Sequence, residues 1–252
     1  MDNKKAEILV IIPAYNEEKS IEKVIKGVKE SAPEVDIVVI DDGSTDNTAK
    51  AARKCGVKVI SHSINLGYGI ALQTGYKYAL RFPYRIIVQL DADGQHSPTC
   101  IHSLTNVLRN NSVDVVIGSR FLGNRKYSGS WIRKLGMKIF SVITSLIAGE
   151  RITDTSSGFR ALKREVIDFF AHIDYPSDYQ DADLIILTHS AGFCIKEIPV
   201  AMNERKSGKS VLAGTKLIYY GFKMLLSIMV TLLREKPHKK REKIKCLCVK
   251  KF

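Results

Sequence analysis

The chain of 252 residues has no internal repeat, no low-complexity tract and few signatures that name a chemistry outright. Cysteine is sparse: Cys55, Cys100, Cys194, Cys246 and Cys248 are an odd number without framework spacing. A disulfide scaffold is therefore not expected, and a reducing compartment is. Cys246-x-Cys248 has no second pair to complete a zinc site. There is no His-Glu-x-x-His, no P-loop and no complete Gly-x-Gly-x-x-Gly, which argues against zinc proteases, P-loop NTPases and dinucleotide binders. The first apolar run, Ile8–Ile12, is too short for a signal peptide or a membrane span. A later one, Leu217–Leu233, approaches spanning length but carries Lys223 near its middle, where a charge costs roughly 2.5–3.5 kcal/mol.

What is present fits one α/β domain with an ordinary core: 45% hydrophobic and 26% charged residues. The net charge of +13 is unevenly placed, with nine Lys and Arg against two Asp and Glu from Arg234 onward. Such a stretch attracts anionic surfaces. No basic groove interleaved with aromatics accompanies it, so a lipid surface is expected and a nucleic acid is not.

Apolar runs at Ile8–Ile12, Ile37–Ile40, Val57–Ile60, Ile86–Leu90 and Val113–Gly118 alternate with helix-period segments at Ile21–Glu30, Thr45–Lys54, Gly69–Arg81 and Thr99–Arg109. This rhythm predicts a mostly parallel sheet flanked by helices, with ligands at the carboxyl ends of the strands. Further on, Trp131–Ala148 reads as an apolar helix with Arg133, Lys134 and Lys138 near its start. Gly158–Lys163 and Cys194–Val200 read as strands, and Gln180–Ser190 as a helix. Leu217–Leu233 is expected as an amphipathic helix lying in a membrane interface. The expected division is a domain over 1–212, this helix over 213–235 and a basic tail over 236–252.

Three acidic clusters follow strand-like runs: Pro13-Ala14-Tyr15-Asn16-Glu17, Asp41-Asp42-Gly43-Ser44-Thr45-Asp46 and Asp91-Ala92-Asp93-Gly94-Gln95-His96. In extended backbone a spacing of two puts Asp91 and Asp93 on one side. Paired carboxylates repel unless a proton or cation lies between them, and Mg²⁺ or Mn²⁺ suits hard oxygen ligands shared with phosphate. Taken alone, an Asp-x-Asp is a common solvated turn. Its place after a buried strand, with two similar clusters elsewhere, is what gives it weight. Asp181 and Asp183 are candidates for a general base, or equally for a helix start that uses the dipole.

The series resembles the family 2 glycosyltransferases of the GT-A fold. It rests on the three clusters together with Asn65-x-Gly67-x-Gly69 and Gly118-Ser119-Arg120. Asp154-Thr155-Ser156-Ser157-Gly158-Phe159-Arg160 and Lys196-Glu197-Ile198-Pro199-Val200 resemble the branch of dolichyl- and polyprenyl-phosphate sugar synthases. The resemblance implies a Rossmann-like nucleotide-binding half and inverting transfer from a nucleoside-diphosphate sugar, UDP- or GDP-linked. It implies that Pro13, Tyr15, Glu17, Asp42, Asp91, Ala92 and Asp93 line the donor pocket, and that Asp91, Asp93 and Gln95 hold the metal. It further implies that Arg120, Arg160, Arg205 and Lys209 serve the phosphates. The acceptor it implies is a polyprenyl or dolichyl phosphate at the cytosolic membrane face. A soluble or glycan hydroxyl acceptor, and a nucleotide- or lipid-surface-binding module without catalysis, remain the alternatives. The oligomeric state stays open.

Overall fold

The structure, a computed structural model, describes residues 6–110, 112–122, 131–173, 181–202 and 215–233. Arg205, Lys209 and the basic stretch from Arg234 lie outside these residues.

Four apolar runs form Ile8–Ala14 (β1), Asp36–Asp41 (β2), Lys58–Ser61 (β3) and Ile86–Gln89 (β4), all paired in parallel. Every residue of β1 is buried, as a strand covered on both faces requires. Its alternation sorts the core. Leu9 and Ile11 join one apolar cluster, and Ile8, Val10 and Ile12 the other. Helices Ile21–Ser31 (α1), Thr48–Lys54 (α2) and Ile101–Asn110 (α4) cover the second face, while Tyr68–Leu80 (α3) covers the first. α3 comes unusually close, since a Cβ on Gly75 would stand 2.5 Å from the Ile11 side chain.

Val115–Ser119 (β5), Arg160–Lys163 (β6) and Ile195–Pro199 (β7) extend the sheet to the order β3-β2-β1-β4-β6-β5-β7. β6 runs antiparallel to both neighbours; the other strands share one direction. The mostly parallel sheet was expected, the reversal was not. Neither was Arg164–His172 (α6), which buries Val166, Ile167, Phe170 and Ala171 against the first cluster.

From β1 the chain steps to β2 and β3 on one side and then returns to β4 on the other. That makes the crevice between the carboxyl ends of β1 and β4 the topological switch point, where open α/β sheets bind ligands. Because β6 is reversed, it delivers its amino end, and the turn before it, to the same edge.

Trp131–Ala148 (α5), Ala182–Ser190 (α7) and Thr215–Leu233 (α8) form a separate apolar contact, in which Met224 and Ile228 of α8 meet Ala182 and Ile186 of α7 and Phe140, Ile143 and Ile147 of α5. No helix among the described residues is long and apolar enough to cross a membrane. Cys55 and Cys100 are free. Cys194 is disulfide-bonded.

Candidate active site

The loops leaving β1 and β2 are laced together by side chains that hold backbone amides. Asn16 adopts a positive φ of 54°, a conformation asparagine tolerates. Its N–H donates to Ser44 Oγ (3.0 Å), and its side-chain oxygen accepts from Thr45 N–H (2.9 Å). Glu17 N–H donates to Thr48 Oγ1 at 2.7 Å, and Glu18 Oε2 accepts from Asn47 N–H at 3.1 Å. The Glu17 carboxylate accepts from the hydroxyl of Ser20 at the entrance to α1. Pro13 and Ala14 are buried in β1, whereas Tyr15 stands 45% exposed at the rim.

Asp42 is 3% exposed. Oδ1 lies 2.7 Å from His62 Nδ1 and accepts from Leu66 N–H at 3.0 Å, while Oδ2 accepts from Gly67 N–H at 2.8 Å. Its carboxylate holds the 62–67 loop beside the expected donor pocket.

Asp91 and Asp93 follow β4 at the switch point. The Asp91 side chain is 28% exposed. Oδ1 accepts from the Tyr68 hydroxyl at 2.7 Å, and Oδ2 faces the His96 ring at 3.6 Å. Burial, reinforced by the negative charge of Asp91, holds the Tyr68 phenol well above its ordinary value of 10.0, so it stays protonated and donates. Asp91 N–H donates to His96 Nδ1 at 3.2 Å, which assigns the ring proton to Nε2. His96 stacks on Phe159 with ring centroids 5.1 Å apart. Asp93 Oδ1 accepts from Gln95 N–H at 2.9 Å, tightening the turn. Ala92 is buried.

These residues fit a hard divalent ion of a particular kind. Among the described residues no three His, Cys, Asp or Glu side chains converge as a ligand set. Asp91 and Asp93 are the carboxylates at this turn that would hold such an ion, and a bound diphosphate and water would supply the remaining oxygens. Mg²⁺ and comparable ions are commonly held that way.

The two arginines expected at phosphates both have partners within the protein. Arg120, just past β5, donates from Nε and Nη2 to the two carboxylate oxygens of Asp154 at 2.8 and 2.7 Å, and from Nη2 to Ser156 Oγ at 2.6 Å. A bidentate pair of this kind is strong and directional. Beneath it Glu197 accepts from Asp154 N–H and from Thr153 N–H and Oγ1, each at 2.8 Å. Burial outweighs these bonds and raises the Glu197 carboxyl above its usual range. Arg160 is 2% exposed, and its Nε donates to Ser157 O at 2.8 Å. Arg120 thus clamps the 153–156 turn, and Arg160 is a buried positive charge at the start of β6.

The base candidates sit on and just before α7. Asp183 is 6% exposed, and its Oδ2 accepts from Ser227 Oγ of α8 at 2.5 Å, which ties α8 to α7. Asp181 is the buried residue preceding α7. His96 and Gly158 lie in motifs quoted above without being given a role, and Tyr68 was not singled out at all. Its available signal was its place at the first turn of α3, directly after Gly67.

The sequence profile of Glycosyl transferase family 2 matches residues 9–170. The polyprenol monophosphomannose synthase of Mycolicibacterium smegmatis is 31% identical over 86% of this chain and 84% of its own length. The UDP-N-acetylglucosamine–dolichyl-phosphate N-acetylglucosaminyltransferase of Methanococcus voltae is 30% identical over 84% of this chain and 93% of its own. In fold, the chain is similar to glucosyl-3-phosphoglycerate synthase from Mycobacterium tuberculosis, solved with Mn²⁺ and UDP-glucose, with a TM-score of 0.67, 19% identity, and 90% and 79% of the two chains covered. The chain thus belongs to glycosyl transferase family 2, with relatives in the polyprenyl-phosphate sugar synthase branch that its later motifs resembled.

Proposed function

We propose that this chain transfers a sugar, with inversion, from a nucleoside-diphosphate sugar to a polyprenyl or dolichyl phosphate on the cytosolic face of a membrane. The observation that carries this reading is the Asp91–Asp93 couple at the switch point between β1 and β4, with the Asp91 side chain partly exposed. The reading assigns Mg²⁺ or Mn²⁺ to that couple, with Gln95 beside it, and the base and ribose to the crevice lined by Pro13, Tyr15, Glu17 and Ala92. When bound there, the ion neutralises charge on the departing diphosphate.

The chain's own residues do the rest. The interlaced loops after β1 and β2 hold the nucleotide end still, which lowers the cost of alignment. Arg160 supplies a buried positive charge behind the carboxylates. A phosphate acceptor is already largely ionised near neutral pH, with a second pKa of about 6. It therefore needs cations to place it and no strong base, and Arg205 and Lys209 are assigned that role. The burial of Asp183 beneath α8 supports the same reading, because no carboxylate has to be reserved for a hydroxyl. Two similar proteins carry lipid phosphates in their names, polyprenol in one and dolichyl phosphate in the other.

Membrane contact is supported by the outward faces of α5 and α8. Leu135, Ile139, Val142 and Leu146 form an exposed stripe along α5, and Phe222, Leu225, Met229 and Leu233 are exposed on α8. The stripe on α5 recurs at helical spacing, as an interfacial helix requires. The basic stretch after α8 suits the anionic headgroups of the cytosolic leaflet.

The test is transfer from labelled UDP- and GDP-sugars to polyprenyl phosphate in liposomes with Mn²⁺. The expected product is a lipid-linked sugar with inverted anomeric configuration. Label appearing only on a soluble acceptor would overturn the lipid assignment.

A further inference from the structure

We propose that Tyr68 is a positioning residue for the cation-holding carboxylate of Asp91, with Gly158 closing the opposite side. The inference rests on the reading that Asp91 and Asp93 hold the ion.

The phenol does not owe its position to β4. Tyr68 is the first residue of α3, and the two residues before it, Leu66 and Gly67, are held through their N–H groups by Asp42. Asp42 in turn donates its own N–H to Ala14 O at 2.8 Å. The close seating of Gly75 on Ile11 fixes the helix axis over β1. A rigid path thus runs from the nucleotide-side loops to the hydroxyl that meets Asp91 Oδ1 at 2.7 Å.

The turn before β6 occupies the remaining side. A Cβ on Gly158 would stand 2.7 Å from the Tyr68 hydroxyl oxygen and 2.8 Å from each Asp91 carboxylate oxygen. Hydroxyl and carboxylate together fill the space a side chain would need there. A carboxylate torsion is otherwise broad, and a ligand that rotates freely binds an ion poorly. With the phenol on Oδ1 and Gly158 crowding both oxygens, the Asp91 carboxylate would be presented to the ion in one orientation. Partners of this outer kind are typically worth about 10–100-fold in metal affinity.

The experiment is a Mn²⁺ titration followed by electron paramagnetic resonance, with UDP and separately with GDP present, on the full chain and on Tyr68→Phe, Gly158→Ala and Asp93→Asn. Tyr68→Phe removes one oxygen and keeps the ring. It should weaken Mn²⁺ binding about tenfold or more, with thermal stability and nucleotide binding in EDTA close to wild type. Gly158→Ala should weaken it from the other side. If Asp93→Asn abolishes Mn²⁺ binding while Tyr68→Phe binds as tightly as wild type, the positioning role is overturned and the site reading stands. If the wild type shows no nucleotide-dependent Mn²⁺ binding, or Asp93→Asn leaves it intact, the site reading falls and the role of Tyr68 falls with it.

Discussion

The two ends of the sheet use polar residues in opposite ways. Around β1, β2 and β4, side chains such as Ser44, Thr48, Asn16 and Asp42 bind backbone amides, so the loops are fixed. Around β5 and β7, charges are consumed by one another: Arg120 on Asp154, with Glu197 on the same turn. That end also exposes large apolar side chains on α5 and α8, among them Leu146 and Phe222. In the proposed reading the first end receives a polyanion with an ion, and the second holds its own shape and rests on a lipid surface.

The sharpest way to break this contrast is at the ion couple. Asp93→Asn should lower turnover by about a thousandfold, the upper range for loss of one electrostatic stabiliser, while leaving the unfolding temperature close to wild type. Transfer assays and thermal unfolding on the same preparation check both halves of that statement. At the opposite end the consequence inverts. Asp154→Ala strands the Arg120 guanidinium, whose side chain is only 15% exposed, and should cost about 3 kcal/mol of stability in urea unfolding. Equal losses of activity and no loss of stability would erase the distinction between the two ends.

Next in size is the apolar face. Leu146 is 78% exposed and makes no core contribution. Leu146→Glu should reduce flotation with anionic liposomes about tenfold, consistent with the roughly 1.5–3 kcal/mol gained by fully burying a leucine, and leave stability unchanged. Flotation equal to wild type would remove α5 from the membrane contact.

The smallest effect sharpens the account of the inner turn. The folded-state pKa of Glu197 is raised above 4.5 by burial, with Asp154 adding to the rise. The native state then keeps a proton that the unfolded chain has lost. The contribution should be fully present below about pH 4.5 and be lost as pH climbs from there through the raised value. Urea unfolding across that window should show the slope in the wild type, and Glu197→Gln should flatten it.

Much of the fold was legible because both levels of pattern agreed. Ile8–Ile12 is apolar on every residue and Ile86–Leu90 on all but Gln89, a pattern that fits strands buried on both faces. The ligand edge followed from where the acids sat relative to those strands. The direction of β6 was not legible, since Arg160–Lys163 looks the same read either way and its sense is set by partners on β4 and β5. α6 carried a signal that went unread: Val166, Ile167, Phe170 and Ala171 recur at helical spacing. The commitments of Arg120, Asp42 and Asp183 were out of reach for a different reason. Their partners lie 34, 24–25 and 44 residues away, and a charge carries no mark of whether a distant residue will neutralise it. Motif residues show where chemistry gathers, and only packing shows which of them face the substrate.

The most direct test is anomalous diffraction at the manganese edge from crystals grown with Mn²⁺ and a nucleoside diphosphate. The account predicts a single strong peak within coordination distance of both the Asp91–Asp93 turn and the diphosphate oxygens. A nucleotide seated in the crevice with the manganese peak elsewhere, or with the turn directed away from the diphosphate, would contradict it.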